Sequence, residues 1–296
     1  MYKRHVFLLV LCCMVWGTTF VVVKDTVSYT NPQLLVFLRS LIATLPLGIY
    51  LLIKDPLSLK QKNSILYGFG LGVFLSSGYL LQSIGLMETS STHSAFITCT
   101  SVIFVPLILF LFFKKKIHKR GWLCIFIVAV GLTSLTYHPS VAFNQGDILT
   151  FIAAIIYGWQ VIYSGKWVRI SHATSLIFYQ FLFSSLITFI SMMSEHHFYN
   201  SSLMLTKDAI PAILYLGLLG TLFCYFFTVY SQKYVPTITV ALIFALEPIF
   251  ASTAAYFFLS ERIGSIELLG ALLILIGIVF YDISPKKLLI SFQKKP

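Results

Sequence analysis

Charge is what this sequence lacks most. Only 10% of its 296 residues are Asp, Glu, Lys or Arg, against about a quarter in soluble domains, so it cannot dress an ordinary water-facing surface. Acidic residues are scarcer still, 10 against 21 basic ones, and nowhere do they form paired catalytic acids. The five cysteines, Cys12, Cys13, Cys99, Cys124 and Cys224, are odd in number, lie inside apolar stretches and make no Cys-x-x-Cys pair. They read as small packing residues, neither disulfides nor metal ligands. A phosphate-cradling P-loop, His-Glu-x-x-His and Gly-x-Ser-x-Gly are all missing, so neither ATP hydrolysis nor a familiar hydrolase chemistry is supported. The sequence calls for no cofactor and no metal, and the chain is not expected to be an enzyme.

What is abundant is apolar surface, 58% of residues. Apolar runs of about 17 to 25 residues, the length that crosses a bilayer as a helix, fall at 6–23, 34–53, 64–87, 92–113, 121–137, 147–165, 174–193, 209–231, 237–259 and 264–281. The expected fold is therefore an all-α integral membrane protein of ten transmembrane helices. The first run follows Lys3-Arg4-His5 but meets no small-residue cleavage site, and is expected to remain as a span. Connectors are short and carry turn chemistry, as at Asn31-Pro32, Lys54-Asp55-Pro56, His138-Pro139 and Asn144-Gln145-Gly146. The net charge of +11 resides in these connectors, where topology and anionic headgroups account for it, and nucleic acid is not an expected partner. With the N-terminus cytoplasmic, 17 of the 21 basic residues fall inside and only Lys24, Lys207 and Arg262 outside. Both termini are thus expected in the cytoplasm, with a bacterial inner membrane as the location.

The chain also repeats itself. Trp16-Gly17 and Tyr157-Gly158 stand 141 residues apart, as do Arg39 and Gln180, and Pro106 and Pro248 stand 142 apart. Two halves follow, 1–141 and 142–283, with a basic cytoplasmic tail at 284–296. Five spans is an odd number, so the second half enters the membrane inverted relative to the first, a construction common in secondary transporters.

These residues resemble a known family. Trp-Gly-Thr-Thr-Phe at Trp16 to Phe20 with Pro32 and Arg39, Ala95 to Thr98 with Val105-Pro106, Ala241 to Pro248, Ser260-Glu261-Arg262 and Leu269 to Gly277 are together similar to the EamA family of the drug/metabolite transporter superfamily. The resemblance spans essentially the whole chain. It implies ten helices in two inverted five-helix repeats, a central cavity, and movement of small organic metabolites. The first repeat departs from the second by carrying Val105 where the second has Glu247, and basic residues where the second has Glu261.

Glu247, near the middle of an apolar span, needs a partner, a proton or water, because an unpaired charge at that depth costs several kcal/mol. It either takes up a proton or faces a cationic group, or it bonds to Arg39 or to backbone freed by Pro248. Arg39 either anchors at the interface or receives a substrate carboxylate. Polar residues recur at helical spacing in three spans: Ser76, Tyr79, Gln82 and Ser83; Tyr157, Gln160 and Ser164; Tyr225, Thr228 and Gln232. As a set they predict a cavity, with Trp16, Tyr79, Gln82, Tyr157, Gln160, Tyr225 and Thr228 as its lining; singly, each is equally an interhelical hydrogen bond. Trp16, Tyr157, Trp159 and Tyr163 either offer flat aromatic faces to a cation or a base or, near span ends, anchor at the interface, and Gly68-x-x-x-Gly72 and Ala251-x-x-x-Ala255 read as close-packing faces. His93, with Glu88 just before it, reads as a solvated loop edge, an outer proton relay being the alternative. Glu195-His196-His197 is a polar loop rather than a metal cluster, and Asn200-Ser201-Ser202 matches a glycosylation acceptor.

The function this predicts is a secondary transporter or exchanger of an amino acid or related amphoteric solute. A cationic nucleoside cofactor such as S-adenosylmethionine is the alternative cargo, and a lipid flippase or membrane-embedded enzyme the alternative class. The partners are a small organic metabolite and the lipid bilayer. Proton coupling against exchange, import against export, and a homodimer against a monomer are left open by the sequence.

Overall fold

In a computed structural model the described residues are 1–136, 144–199, 207, 209–259 and 264–282. The glycosylation pattern at 200–202, Ser260-Glu261-Arg262 and the tail 284–296 lie outside them, as do the side chains of Glu195-His196-His197 and Ala255. Helices follow one another as α1 (Tyr2–Thr26), α2 (Pro32–Lys54), α3 (Lys62–Glu88), α4 (Ser91–Cys99), α5 (Ser101–Leu111), α6 (Lys119–Thr136), α7 (Gln145–Trp167), α8 (Ala173–Tyr199), α9 (Ala209–Tyr215), α10 (Cys224–Ser231), α11 (Thr237–Phe244), α12 (Glu247–Leu259) and α13 (Ser265–Asp282). A π-helical segment, Leu216–Phe223, joins α9 to α10, and a 3-10 turn, Pro56–Lys60, joins α2 to α3. Among the described residues eight segments are long and apolar enough to cross a membrane: α1, α2, α3, α4 with α5, α7, α8 to Ser194, α9 through α10, and α11 with α12 to Phe258.

Two expected spans are not continuous helices. Pro248 has no N–H to return to the carbonyl of Phe244, and the chain there tightens to i→i−3 bonds, Ala245 N–H to Leu242 O and Leu246 N–H to Ile243 O. The freed carbonyl of Phe244 accepts the Cys99 thiol at 3.3 Å, and that of Ile243 accepts Cys13 at 3.4 Å. Helix α5 is likewise parted from α4 at Thr100, six residues ahead of Pro106, where Thr100 N–H bonds to Ile97 O. The cysteines expected only to pack therefore also cap broken backbone.

Helix α3 lies against α7 and α8, α2 against α8 and the π segment, α1 against α10 and α12, α7 against α4 and α5, and α6 against α13. The Gly68-x-x-x-Gly72 face brings α3 onto α8: a Cβ at Gly72 would stand 2.8 Å from Phe183 Cβ and 3.1 Å from the Gln180 carbonyl, and one at Gly68 would collide with Tyr179. Gly72→Leu is accordingly expected to cost about 1–3 kcal/mol by overpacking, visible as a lowered melting temperature of the detergent-purified protein; an unchanged melting temperature would show that the pair separates freely. Connectors expected on one side meet one another. At one end Tyr179 donates to Leu59 O (2.6 Å) and Arg169 to Gln232 O (2.7 Å); at the other Lys24 reaches Leu86 O (2.7 Å) and Asn144 Nδ2 reaches Glu88 O (3.1 Å).

Candidate functional site

Where α1, α2, α3, α7 and α10 converge on the two broken spans, they border a shared void, about 700 Å³ of empty space when the open solvent at its mouth is counted in. All seven residues expected to line a cavity border it, Trp16, Tyr79, Gln82, Tyr157, Gln160, Tyr225 and Thr228, and so do both intramembrane charges, Arg39 and Glu247. Ser164 also borders it, whereas Ser76, Ser83 and Gln232 from the same stripes do not. Ser76 donates back to Val73 O, and Gln232 ties α10 to α7 by accepting from Ser164 (2.6 Å) and donating to Val161 O (2.8 Å). Trp159 and Tyr163 stand away from the void, stacked in a ladder with Trp167 and Tyr67.

The walls are mostly aromatic. Trp16 meets Tyr225 and Phe244 edge-on at centroid distances of 5.2 Å, and Tyr79 meets Tyr225 at 5.9 Å, arrangements that fix ring orientation. One polar chain crosses the void's border: Tyr157 OH donates to Gln82 Oε1 (3.3 Å) and Gln82 Nε2 to Thr98 Oγ1 (2.9 Å). Thr98 and Ser101, on either side of the α4–α5 break, are lining residues that sequence reasoning missed. Gln160 Nε2 and Thr228 Oγ1 are buried and find no hydrogen-bond partner among the described residues, although buried polar groups are nearly always satisfied.

Arg39 is 2% exposed. Its Nε donates to Thr221 Oγ1 at 3.0 Å, and its guanidinium carbon sits 3.7 Å over the centre of the Tyr79 ring. It does not serve as an interfacial anchor, since both contacts point inward. Glu247, 7% exposed, is the first residue of α12, where the helix N-terminus favours a negative charge. Among the described residues no ion pair joins Arg39 to Glu247, or either of them to any other charge. The Arg39–Glu247 bond that the sequence left open is therefore not made.

The backbone that receives Arg39 is also unforeseen. In the π segment Trp16 Nε1 donates to Gly220 O at 2.8 Å and Thr221 Oγ1 to Leu216 O, five residues back, at 2.8 Å. Gly217 and Gly220 allow this wide turn to press on its neighbours, since a Cβ would stand 2.6 Å from Ile42 Cγ2 and 2.8 Å from Thr19 Cγ2. Outside the void, His93 is not a solvated edge: it lies 3.0 Å from the fully buried Asp147 carboxylate, which also accepts from Thr89 Oγ1 (2.7 Å) and Asn144 N–H (2.9 Å). At the opposite end His5 Nδ1 lies 3.1 Å from Ser231 Oγ and its ring stacks on Tyr234. No cluster of three or more metal-ligating side chains occurs among the described residues.

The chain matches the EamA-like transporter family twice, over residues 3–137 and 144–281. It is 28% identical to an uncharacterized transporter of Archaeoglobus fulgidus, over 93% of this chain and 84% of that one. It is 25% identical to a probable amino-acid metabolite efflux pump of Salmonella typhimurium, over 94% of each. One crystal structure shares its fold with a TM-score of 0.75 at 13% identity, covering 94% of this chain and 96% of that one.

Proposed function

Since this chain belongs to the EamA-like transporter family, whose members move small metabolites across membranes and are not enzymes, we propose that its cargo carries both an anionic and a cationic group. An amino acid or related amphoteric solute fits. The observation that carries this is the pair of opposite charges, Arg39 and Glu247, bordering one void without pairing. Two buried charges left apart are costly, and a solute offering a carboxylate to the guanidinium and an ammonium to the carboxylate removes the cost. Gln160 and Thr228, which border the same void, add unsatisfied polar atoms. The name of the Salmonella relative agrees with this class. S-adenosylmethionine, which presents both charges plus a cation for the aromatic walls, is the second cargo tested. A thermal-shift screen of purified protein against amino acids, nucleosides and S-adenosylmethionine, followed by uptake into liposomes, decides: no shift and no tracer movement would refute the reading.

The mechanism we infer is alternating access by two inverted five-span repeats, 1–141 and 142–283, with α6 and α13 as fifth and tenth spans and both termini in the cytoplasm of a bacterial cell. Matching twice with one family supports the duplication. So do the end contacts: His5–Ser231 and Asp147–Thr89 correspond member by member at an offset of 142 residues, the offset that relates Pro106 to Pro248. Coupling is tested by Glu247→Gln, which keeps the shape and removes the charge. If Glu247 serves the solute's cation alone, binding weakens by about tenfold or more while the pH dependence of uptake is unchanged; loss of pH dependence would assign it to proton carriage instead.

A further inference from the structure

We propose that Thr221 is a positioning residue, its one hydroxyl aiming the Arg39 guanidinium at the substrate's anion and tying that guanidinium to the register of the π segment Leu216–Phe223. The inference rests on the functional reading above, which supplies the anion.

The chemistry of the hydroxyl carries the argument. A threonine has one O–H to donate, and here it goes to Leu216 O, five residues back, which is the spacing of a π turn. The oxygen's remaining capacity accepts Arg39 Nε at 3.0 Å, since arginine only donates. Tyr79 OH, 3.4 Å from both Thr221 Oγ1 and Gly220 O, must then be the donor in either contact. Arg39 is thereby gripped on its Nε side by Thr221 and on one face by the Tyr79 ring. The edge left over is the pair of terminal amino groups, the geometry that receives a carboxylate through two parallel bonds.

This grip makes the guanidinium and the π turn one unit. A π turn is a strained register that persists where its wide carbonyls are used, and here they are used by side chains of the cavity wall: Gly220 O by Trp16 and Leu216 O by Thr221. An anion that draws Arg39 toward the void pulls on Thr221, and through it on the register that sets where Tyr225 and Thr228, one to two turns further on, face the cavity. Without the hydroxyl, the guanidinium loses its Nε anchor, and the turn keeps the Trp16 bond to Gly220 O but loses the clasp on Leu216 O.

The test compares wild type, Thr221→Val, which keeps the shape, and Thr221→Ser, which keeps the hydroxyl. Each is titrated with L-phenylalanine and with phenethylamine, its decarboxylated counterpart. The expected result is a Kd for L-phenylalanine raised about tenfold in the valine variant, with the Kd for the amine unchanged and serine restoring the wild-type value. A merely structural role would weaken both ligands together, and that outcome, or no change for either, overturns the proposal. A second measurement needs no ligand: hydrogen exchange of the backbone amides in 216–223, expected to be faster in the valine than in the serine variant. If wild type binds neither compound, phenylalanine is not the cargo, while the exchange data still judge the tie between Thr221 and the π turn; equal exchange rates overturn it.

Discussion

Arg39→Lys is expected to abolish high-affinity binding of carboxylate-bearing solutes while the protein remains folded, an outcome that charge conservation alone would not predict. Lysine keeps the positive charge but offers a compact ammonium in place of a planar fork. It cannot donate from an Nε to Thr221, and it has no flat face to lay on the Tyr79 ring, the two contacts that hold Arg39 in place. A charge-assisted hydrogen bond is worth about 1.5–3 kcal/mol, so loss of the bidentate contact raises Kd by roughly 10- to 100-fold. Arg39→Gln, which also removes the charge, is expected to be worse and to leave Glu247 as the only formal charge on the cavity wall. Titration calorimetry with the screened solute, run beside a melting curve, separates the cases. Binding within twofold of wild type in the lysine variant would mean that the guanidinium does not touch the solute.

The second large effect is expected at the ends of the bundle. Alternating access requires that one end open while the other stays shut, and the polar contacts at each end include one between a helix start and a helix finish: His5 of α1 with Ser231 of α10, and Asp147 of α7 with Thr89 just beyond α3. Pairs of cysteines, His5→Cys with Ser231→Cys, or Thr89→Cys with Asp147→Cys, joined by a short reversible bis-methanethiosulfonate linker, are expected to stop net uptake completely in either case. Reduction of the linker restores uptake. Binding in detergent survives one linkage, because the cavity still opens at the free end, and fails when both are made. Full transport with either end linked would rule out the proposed cycle.

How far the sequence reached is clearest at particular residues. The side chains of Tyr79, Gln82, Tyr157, Gln160, Tyr225 and Thr228 stand at helical spacing inside apolar spans, and lipid offers them no partner, so their convergence on one void was legible from spacing alone. The π segment was not. Leu216-Gly-Leu-Leu-Gly-Thr-Leu-Phe223 contains nothing that distinguishes an i−5 from an i−4 bond, because that choice is made by Trp16, Arg39 and Tyr79 arriving from other helices. Gly217 and Gly220 followed by Thr221 were the only hint, small residues beside a hydroxyl. The breaks at Thr100 and Ala245 were half legible: Pro106 and Pro248 announce a missing N–H, but whether the chain kinks or merely bends depends on which neighbours take the freed carbonyls, and at Ala245 those neighbours are Cys13 and Cys99, which the sequence shows only as packing residues. His93 was misjudged for a related reason, since its partner Asp147 lies 54 positions further along the chain.

Those cysteines set the conditions for the experiments above. Cys12, Cys13, Cys99, Cys124 and Cys224 are all buried with free thiols, and Cys12, Cys13, Cys99 and Cys224 spend their S–H on backbone carbonyls. A membrane-impermeant thiol reagent therefore meets a blank background in the native chain. Cysteines introduced at the two ends, at positions buried like the native ones while that end is shut, are labelled only when it opens and can be scored one side at a time, with no need to strip the native ones and lose the backbone they cap.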